Sequence, residues 1–233
     1  MPDGLVRGLP RRPAPGAGEL GIPKILSIRN TKTSFNVAFS GTVTNTPELD
    51  SLWIASFTNT DNNQPAYHYQ EQFGGVRFHP IAYYGNGVTA TIVMMGRVIP
   101  GTTPTLTTSY NFGSPSTSYR SMVMYECEVE NVRGIVRRTT AHAPSATSVT
   151  CTGWRYSEAP GSIAVASTGF DDGGAGISGY DTVTMDEEVA GSVAAALGGL
   201  VIGNNIGNDG SSWTTRFTSS RSDNWSGVTA CIE

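Results

Sequence analysis

An all-β fold, a single β-sandwich or jelly roll carrying an extended N-terminal arm, follows from three features of the sequence. The first is composition: 27 Thr, 23 Ser and 28 Gly make up about a third of the 233 residues, and lysine occurs only at Lys24 and Lys32. Threonine, valine and aromatics suit strands, and scarce lysine and glutamate leave little material for a helix surface. The second is rhythm: roughly a dozen short apolar or alternating runs are divided by turn signals about every 8–12 residues, with no recurring helical period. The third is the first 24 residues, which hold five prolines and five glycines. Proline removes backbone donors and glycine raises the entropy cost of ordering, so this stretch cannot fold by itself.

The elements follow in order. Residues 1–24 are read as an arm and residues 25–233 as one β-sandwich domain, because no Pro/Ser-rich linker divides the latter. ILSI at 25–28 leads into 34–44, where Phe35, Val37 and Phe39 alternate on one face. After a turn at 45–50, SLWIASFT at 51–58 is a nearly continuous apolar strand. YHYQEQF at 67–73 and VRFHPIAYY at 76–84 flank Gly74-Gly75, a two-residue hairpin signal. A turn at 84–87 precedes the strand 88–98, and the Thr-rich 102–110 reads as a weaker edge strand. The segment 119–132 is a strand with Met122, Met124 and Cys127 as its expected core positions. Separate strands are expected at 135–142, 148–154 and 162–167, and SVAAAL-GG-LVIG at 192–203 reads as a second Gly-Gly hairpin. Asp186, Glu187 and Glu188 before a run of alanines leave a helix open over 186–198 as the alternative there. SWTTRFTSS and WSGVTACIE supply the closing strands. YRSMVMYECEVE at 119–130 and NWSGVTACIE at 224–233 echo each other, aromatic-led and ending in an acidic residue after cysteine.

The formal net charge of −4 is too small to point to nucleic acid or an acidic ligand. It is unevenly spread. Arg7, Arg11, Arg12, Lys24, Arg29 and Lys32 against Asp3 and Glu19 make residues 1–32 basic by +4, so the rest is acidic by about −8. A basic arm on an acidic body suits docking to a negative surface. Cys127, Cys151 and Cys231 match no zinc spacing, and an odd number makes no disulfide framework; they read as small buried hydrophobes in a reducing compartment. No apolar leader is recognisable at the N-terminus. The most apolar window, 189–202, is too short and too broken by glycine to cross a bilayer as a helix.

Searching for chemistry returns no catalytic constellation. His68 and His79 sit at unequal offsets across the Gly74-Gly75 hairpin, and His142 precedes Ala143-Pro144 at a strand end. There is no G-x-S-x-G elbow, and the cysteines lie in apolar strands without a basic neighbour to activate them. Phosphate-binding glycine motifs are absent too. Glu71, Glu126 and Glu128 are the candidate carboxylates, Glu126 and Glu128 sharing a face; a glycosidase needs such a pair facing into a cleft. The loops around Asp171-Asp172 and Asn204-Asn205 to Asn208-Asp209 carry oxygen ligands for calcium, but Asn, Asp and Gly also dominate tight turns. Tyr67, Tyr69, Phe73, Tyr83 and Tyr84 cluster around one hairpin and Trp154 with Tyr156 around another strand end. Such aromatics stack on sugars, fill a core or form an oligomer interface.

The order of segments resembles the β-sandwich accessory domains of tailed-bacteriophage virions: SLWIASFT, an aromatic hairpin, TIVMMGRVIPGT, YRSMVMYECEVENVRG, GSIAVASTGF, a Gly/Asn-rich stretch and a closing WSGVTACIE. The resemblance spans residues 34–233, rests on pattern and carries over no catalytic residues. It implies a lectin-like jelly roll serving as a capsid decoration (cement) protein, head spike or tail appendage, located in the virion after synthesis in the host cytoplasm. The expectation is a structural protein, not an enzyme, without cofactors or metal, contacting other virion proteins and copies of itself, with neither nucleic acid nor membrane as partner. Leu5, Val6, Arg7, Leu9, Arg11, Arg12 and Ile22 are the expected arm contacts. The alternative is a carbohydrate-binding, host-adhesion module using Tyr67, Tyr69, Tyr83 and Tyr84 on a host surface glycan.

Overall fold

A computed structural model describes residues 21–35, 51–59, 72–73, 76–98, 120–134, 136–154, 159–171, 177–182, 189–193, 198–206 and 212–233. These are nearly all strand, with no helix among them. The expected strand 36–44, the turn 45–50, the Thr-rich 102–110 and arm residues 1–20 lie outside the described residues.

Among the described residues, twelve strands make two antiparallel sheets. Sheet I runs β1 (Lys24–Phe35), β6 (Arg120–Glu130), β2 (Ser51–Asn59), β5 (Ala90–Val98), β4 (Val76–Gly85) and β3 (Gln72–Phe73). Sheet II runs β10 (Val189–Val193), β11 (Gly198–Asn205), β8 (Ser162–Phe170), β12 (Ser212–Ile232) and β7 (Val136–Trp154), with β9 (Gly179–Thr182) also on β12. The sheets pack face to face. Leu52, Ile54, Val93, Val123, Tyr125 and Cys127 of sheet I meet Ile163, Val165, Leu200, Ile202, Val228, Ala230 and Ile232 of sheet II in one apolar core.

Several expectations hold. β2, β5 and β8 form where 51–58, 88–98 and 162–167 read as strands, and every residue of β8 is buried. Gln72 pairs with Arg77 and Phe73 with Val76 in antiparallel register, as the expected hairpin requires, while Gly74-Gly75 itself lies outside the described residues. Two others need correction. Residues 189–193 are strand β10 paired with β11, so the helix alternative fails there. Gly198 and Gly199 lie inside β11 rather than in the hairpin link. A side chain on Gly198 would run into Ser121 and Thr58, and one on Gly199 would press the Phe217 ring at 3.0 Å. On β6, Met124 and Cys127 are buried as expected, and the shared core takes Cys127 together with Val123, Tyr125 and Val129. Period-two alternation then puts Met124 on the opposite face, where it is also buried. The echo between 119–130 and 224–233 is not structural either: Cys127 faces the inter-sheet core and Cys231 the other side of sheet II.

The largest departure is that the expected strands 135–142 and 148–154 form one bent strand, β7, and the two closing strands form one, β12. These pair along their length from Ser212–Trp154 to Ile232–Val136, with the register broken between Thr218 and Trp225. At that corner β7 has Pro144 and then Ser145 with φ 49, a left-handed conformation rare outside glycine. On β12, the Ser219 hydroxyl accepts from Arg221 N and the Asp223 carboxylate from Asn224 N. The ribbon doubles back there. Thr139 and Thr229 both donate to the carbonyl of Thr152, and Trp213 Nε1 donates to Cys231 Sγ at 3.1 Å, contacts that straight strands cannot make. Trp225 closes the corner, donating to Ala146 O at 2.7 Å and stacking on Phe170 with centroids 4.4 Å apart.

Sheet II therefore lies between two layers. Its odd-numbered β8 residues Ile163 and Val165 face sheet I, and Ala164, Ala166 and Phe170 face the folded ribbon with Val149, Cys151, Trp213 and Phe217. A Cβ at Gly153 would collide with the Trp213 indole. Gly153→Ala is expected to cost about 1–3 kcal/mol in urea unfolding, as overpacking does. A loss under 0.3 kcal/mol would show that the indole is free to move aside.

Candidate functional site

Residues 21–25 are held against the body by Asn131 and Arg133, just after β6, by Asn204 of β11, and by packing over Gly161 before β8. Asn131, at the end of β6, sits at φ 58, which asparagine tolerates better than most residues. Its Nδ2 donates to Ile22 O at 3.1 Å, and Arg133 Nη2 donates to Gly21 O at 3.2 Å. The Asn204 carboxamide accepts from Ile25 N at 2.7 Å and donates to Ile25 O at 3.1 Å, satisfying the strand end as a neighbouring backbone would. Ile22 lies over Gly161, whose absent side chain leaves the room: a Cβ there would sit 2.7 Å from Ile22 Cγ2. Arg133 N also donates to Glu233 O at 2.9 Å, which ties the chain's last residue into the same end.

Ile22, expected to grip a partner, thus touches this chain's own body while staying partly exposed. The other expected arm contacts, Leu5, Val6, Arg7, Leu9, Arg11 and Arg12, lie outside the described residues. Asn131, Arg133 and Gly161 carried no signal beyond turn chemistry in the sequence. Asn204 was a calcium-loop candidate, but both ends of its carboxamide are taken by Ile25.

Below the root, β1 grips β6 through charge. Two bulges, at Leu26 and Arg29, re-aim these side chains. Leu26 turns to solvent, and Arg29 makes a two-pronged contact with Glu128, Nε to Oε2 at 3.1 Å and Nη2 to Oε1 at 2.9 Å. Ser27 Oγ donates to the same carboxylate at 2.9 Å, and Lys24 pairs with Glu130 at 3.3 Å. The Ser27 hydrogen bond first, and then Arg29, hold the Glu128 carboxyl below the usual carboxylate range. Of the candidate carboxylates, Glu126 is fully buried, Glu128 is ion-paired and Glu71 lies outside the described residues.

The aromatic cluster does not form one platform among its described members. Tyr83 is 37% exposed, while Tyr84 packs against the inter-sheet core and lies 6.0 Å from the His142 ring. Tyr67, Tyr69, His68 and Tyr156 lie outside the described residues, and the Phe73 side chain is not described. His79 is exposed on β4. Trp154 is 46% exposed at the end of β7. Among the described residues no group of three or more His, Cys, Asp or Glu converges on a metal-sized point. All three cysteines are buried and unpaired. Burial pushes the Cys151 thiol up to about 12, and raises Cys127 with help from the neighbouring Glu126 charge. Cys231 is also raised by burial, against the opposing hydrogen bond from Trp213.

Comparison with protein-family models, curated proteins and solved structures returns no significant match. Function therefore has to be argued from this geometry.

Two predictions follow from the protonation states. Because the folded-state pKa of Glu128 is lowered, its contribution is present above the ordinary carboxylate pKa and lost as pH falls through the folded value. The pair is near the surface, so Glu128→Gln is expected to cost at most about 1 kcal/mol at neutral pH and to flatten the acid limb of the pH–stability curve. An unchanged acid limb would remove the pair from the account. In the native protein at about pH 8, a thiol reagent should label none of the three cysteines, and all three after denaturation.

Proposed function

We propose that this protein is a non-enzymatic structural component of a tailed-phage-like particle, a capsid decoration or spike protein whose body is a jelly-roll sandwich and whose docking element is residues 1–20. The observation that carries the reading is the fixed root of the arm. Asn131, Arg133 and Asn204 hold residues 21–25 on the body, so whatever precedes Gly21 departs from a defined point on a rigid scaffold. A tail with no role needs no such clamp, and each of those hydrogen bonds is worth about 1 kcal/mol. The basic charge of residues 1–32 and the prolines of the first 24 residues, which disfavour helix, suit attachment to a negative groove. The three thiols are buried and Glu128 is engaged in an ion pair, which supports scaffold rather than catalytic roles for them.

The carbohydrate reading of the tyrosine hairpin is the weaker one, since Tyr83 faces solvent and Tyr84 the core. Removing residues 2–20, while keeping the clamped 21–24, is expected to leave the melting temperature within a few degrees of the full chain and to abolish incorporation into particles. Incorporation of the truncated chain at full occupancy would overturn the proposal.

A further inference from the structure

The outer face of the folded ribbon carries an exposed indole beside rows of hydroxyls. Val149, Cys151 and Gly153 of β7 and Trp213, Thr215 and Phe217 of β12 point inward. Alternation then turns Ser148, Thr150, Thr152 and Trp154 outward, beside Ser212, Thr214, Arg216 and Thr218. Register aligns them in rows: Trp154 with Ser212, Thr152 with Thr214, Thr150 with Arg216 and, across β9, Asp181. The Thr218 hydroxyl already donates to Gly179 O at 3.3 Å. What results is one broad indole at the end of two strands of hydroxyls, β7 and β12, spaced about 4.8 Å across strands and about 7 Å along them, with β9 adding Asp181 at the side.

We propose that this face binds a neutral glycan, with Trp154 stacking on the CH face of one sugar ring and the hydroxyl rows and Arg216 meeting the ring hydroxyls. A sugar chain is amphipathic in the same sense, apolar over its ring faces and hydrogen-bonding around its edges, and an indole face suits the former. Charge decides against the other partners. Arg216 and Asp181 oppose each other across one β-pair, so these rows carry no net charge. A nucleic acid would gain nothing from counterion release here, nor an acidic peptide from steering.

The chain supplies its own reporter. Trp53, Trp213 and Trp225 are each 0% exposed, so acrylamide-quenchable fluorescence comes from Trp154. The full chain would be screened on a glycan array and titrated with dextran, laminarin and galactomannan. At least one neutral glycan should bind and protect Trp154 from acrylamide. Trp154→Ala should abolish that binding and Arg216→Ala weaken it about tenfold, with the melting temperature unchanged in both since these side chains are exposed. No glycan bound across the array, binding confined to acidic glycans, or binding retained by Trp154→Ala would each overturn the proposal. The docking role of residues 1–20 stands or falls separately, because a chain lacking them keeps Trp154.

Discussion

The fold depends on one constraint: the β7–β12 ribbon must bend at Pro144–Ala146 and lie back over sheet II. Without the bend, Ala164, Ala166, Phe170, Val201 and Trp225 would present an apolar face to water, and Trp213 and Phe217 another. With it, β8 and β11 are covered on both sides, which explains why every residue of each is buried. Burial of apolar surface drives the closure, and the Trp225 and Trp213 hydrogen bonds set its geometry. The described residues thereby build apolar cores on both faces of sheet II while remaining almost entirely strand.

Strands were legible in the sequence wherever the local pattern decides them. SLWIASFT and SIAVAS contain no punctuation, so they read as strands, and Gly-Gly between alternating runs reads as a hairpin. What was hidden depends on partners distant in the chain. Pro144 looks like a strand break, and only its partner some 80 residues on, Trp225 donating to Ala146, makes the break a corner. On β6 both parities are apolar, Met122 and Met124 against Val123 and Tyr125, so hydrophobicity alone cannot say which faces sheet II. The clamp is another long-range device. Asn204 is 179 positions from Ile25, and an Asn-Asn pair after a glycine reads as turn chemistry until its partner is seen.

Charge is placed where sheets end. β1, a terminal strand of sheet I, holds both lysines of the chain and Arg29, and β7, a terminal strand of sheet II, holds Arg137 and Arg138. Cationic side chains on terminal strands discourage unplanned pairing with another chain's edge. For a protein proposed to work at high local density in an assembly, such protection keeps contacts with neighbours to the surfaces meant for them.

The two halves of the inter-sheet space are chemically unlike. Toward the arm root it holds Leu, Ile and Val; toward the opposite end it holds hydroxyls, with Ser56 against Ser167, Thr91 Oγ1 2.8 Å from Ser226 Oγ, and Thr58 Oγ1 donating to Thr168 O at 3.4 Å. Apolar contact is non-directional and accommodates small slips between layers. Hydrogen bonds between short side chains have strict lengths and angles, and lose their energy within a fraction of a residue's travel. The hydroxyl half therefore acts as an alignment key for the sheets: cohesion comes from one end of the sandwich and registration from the other.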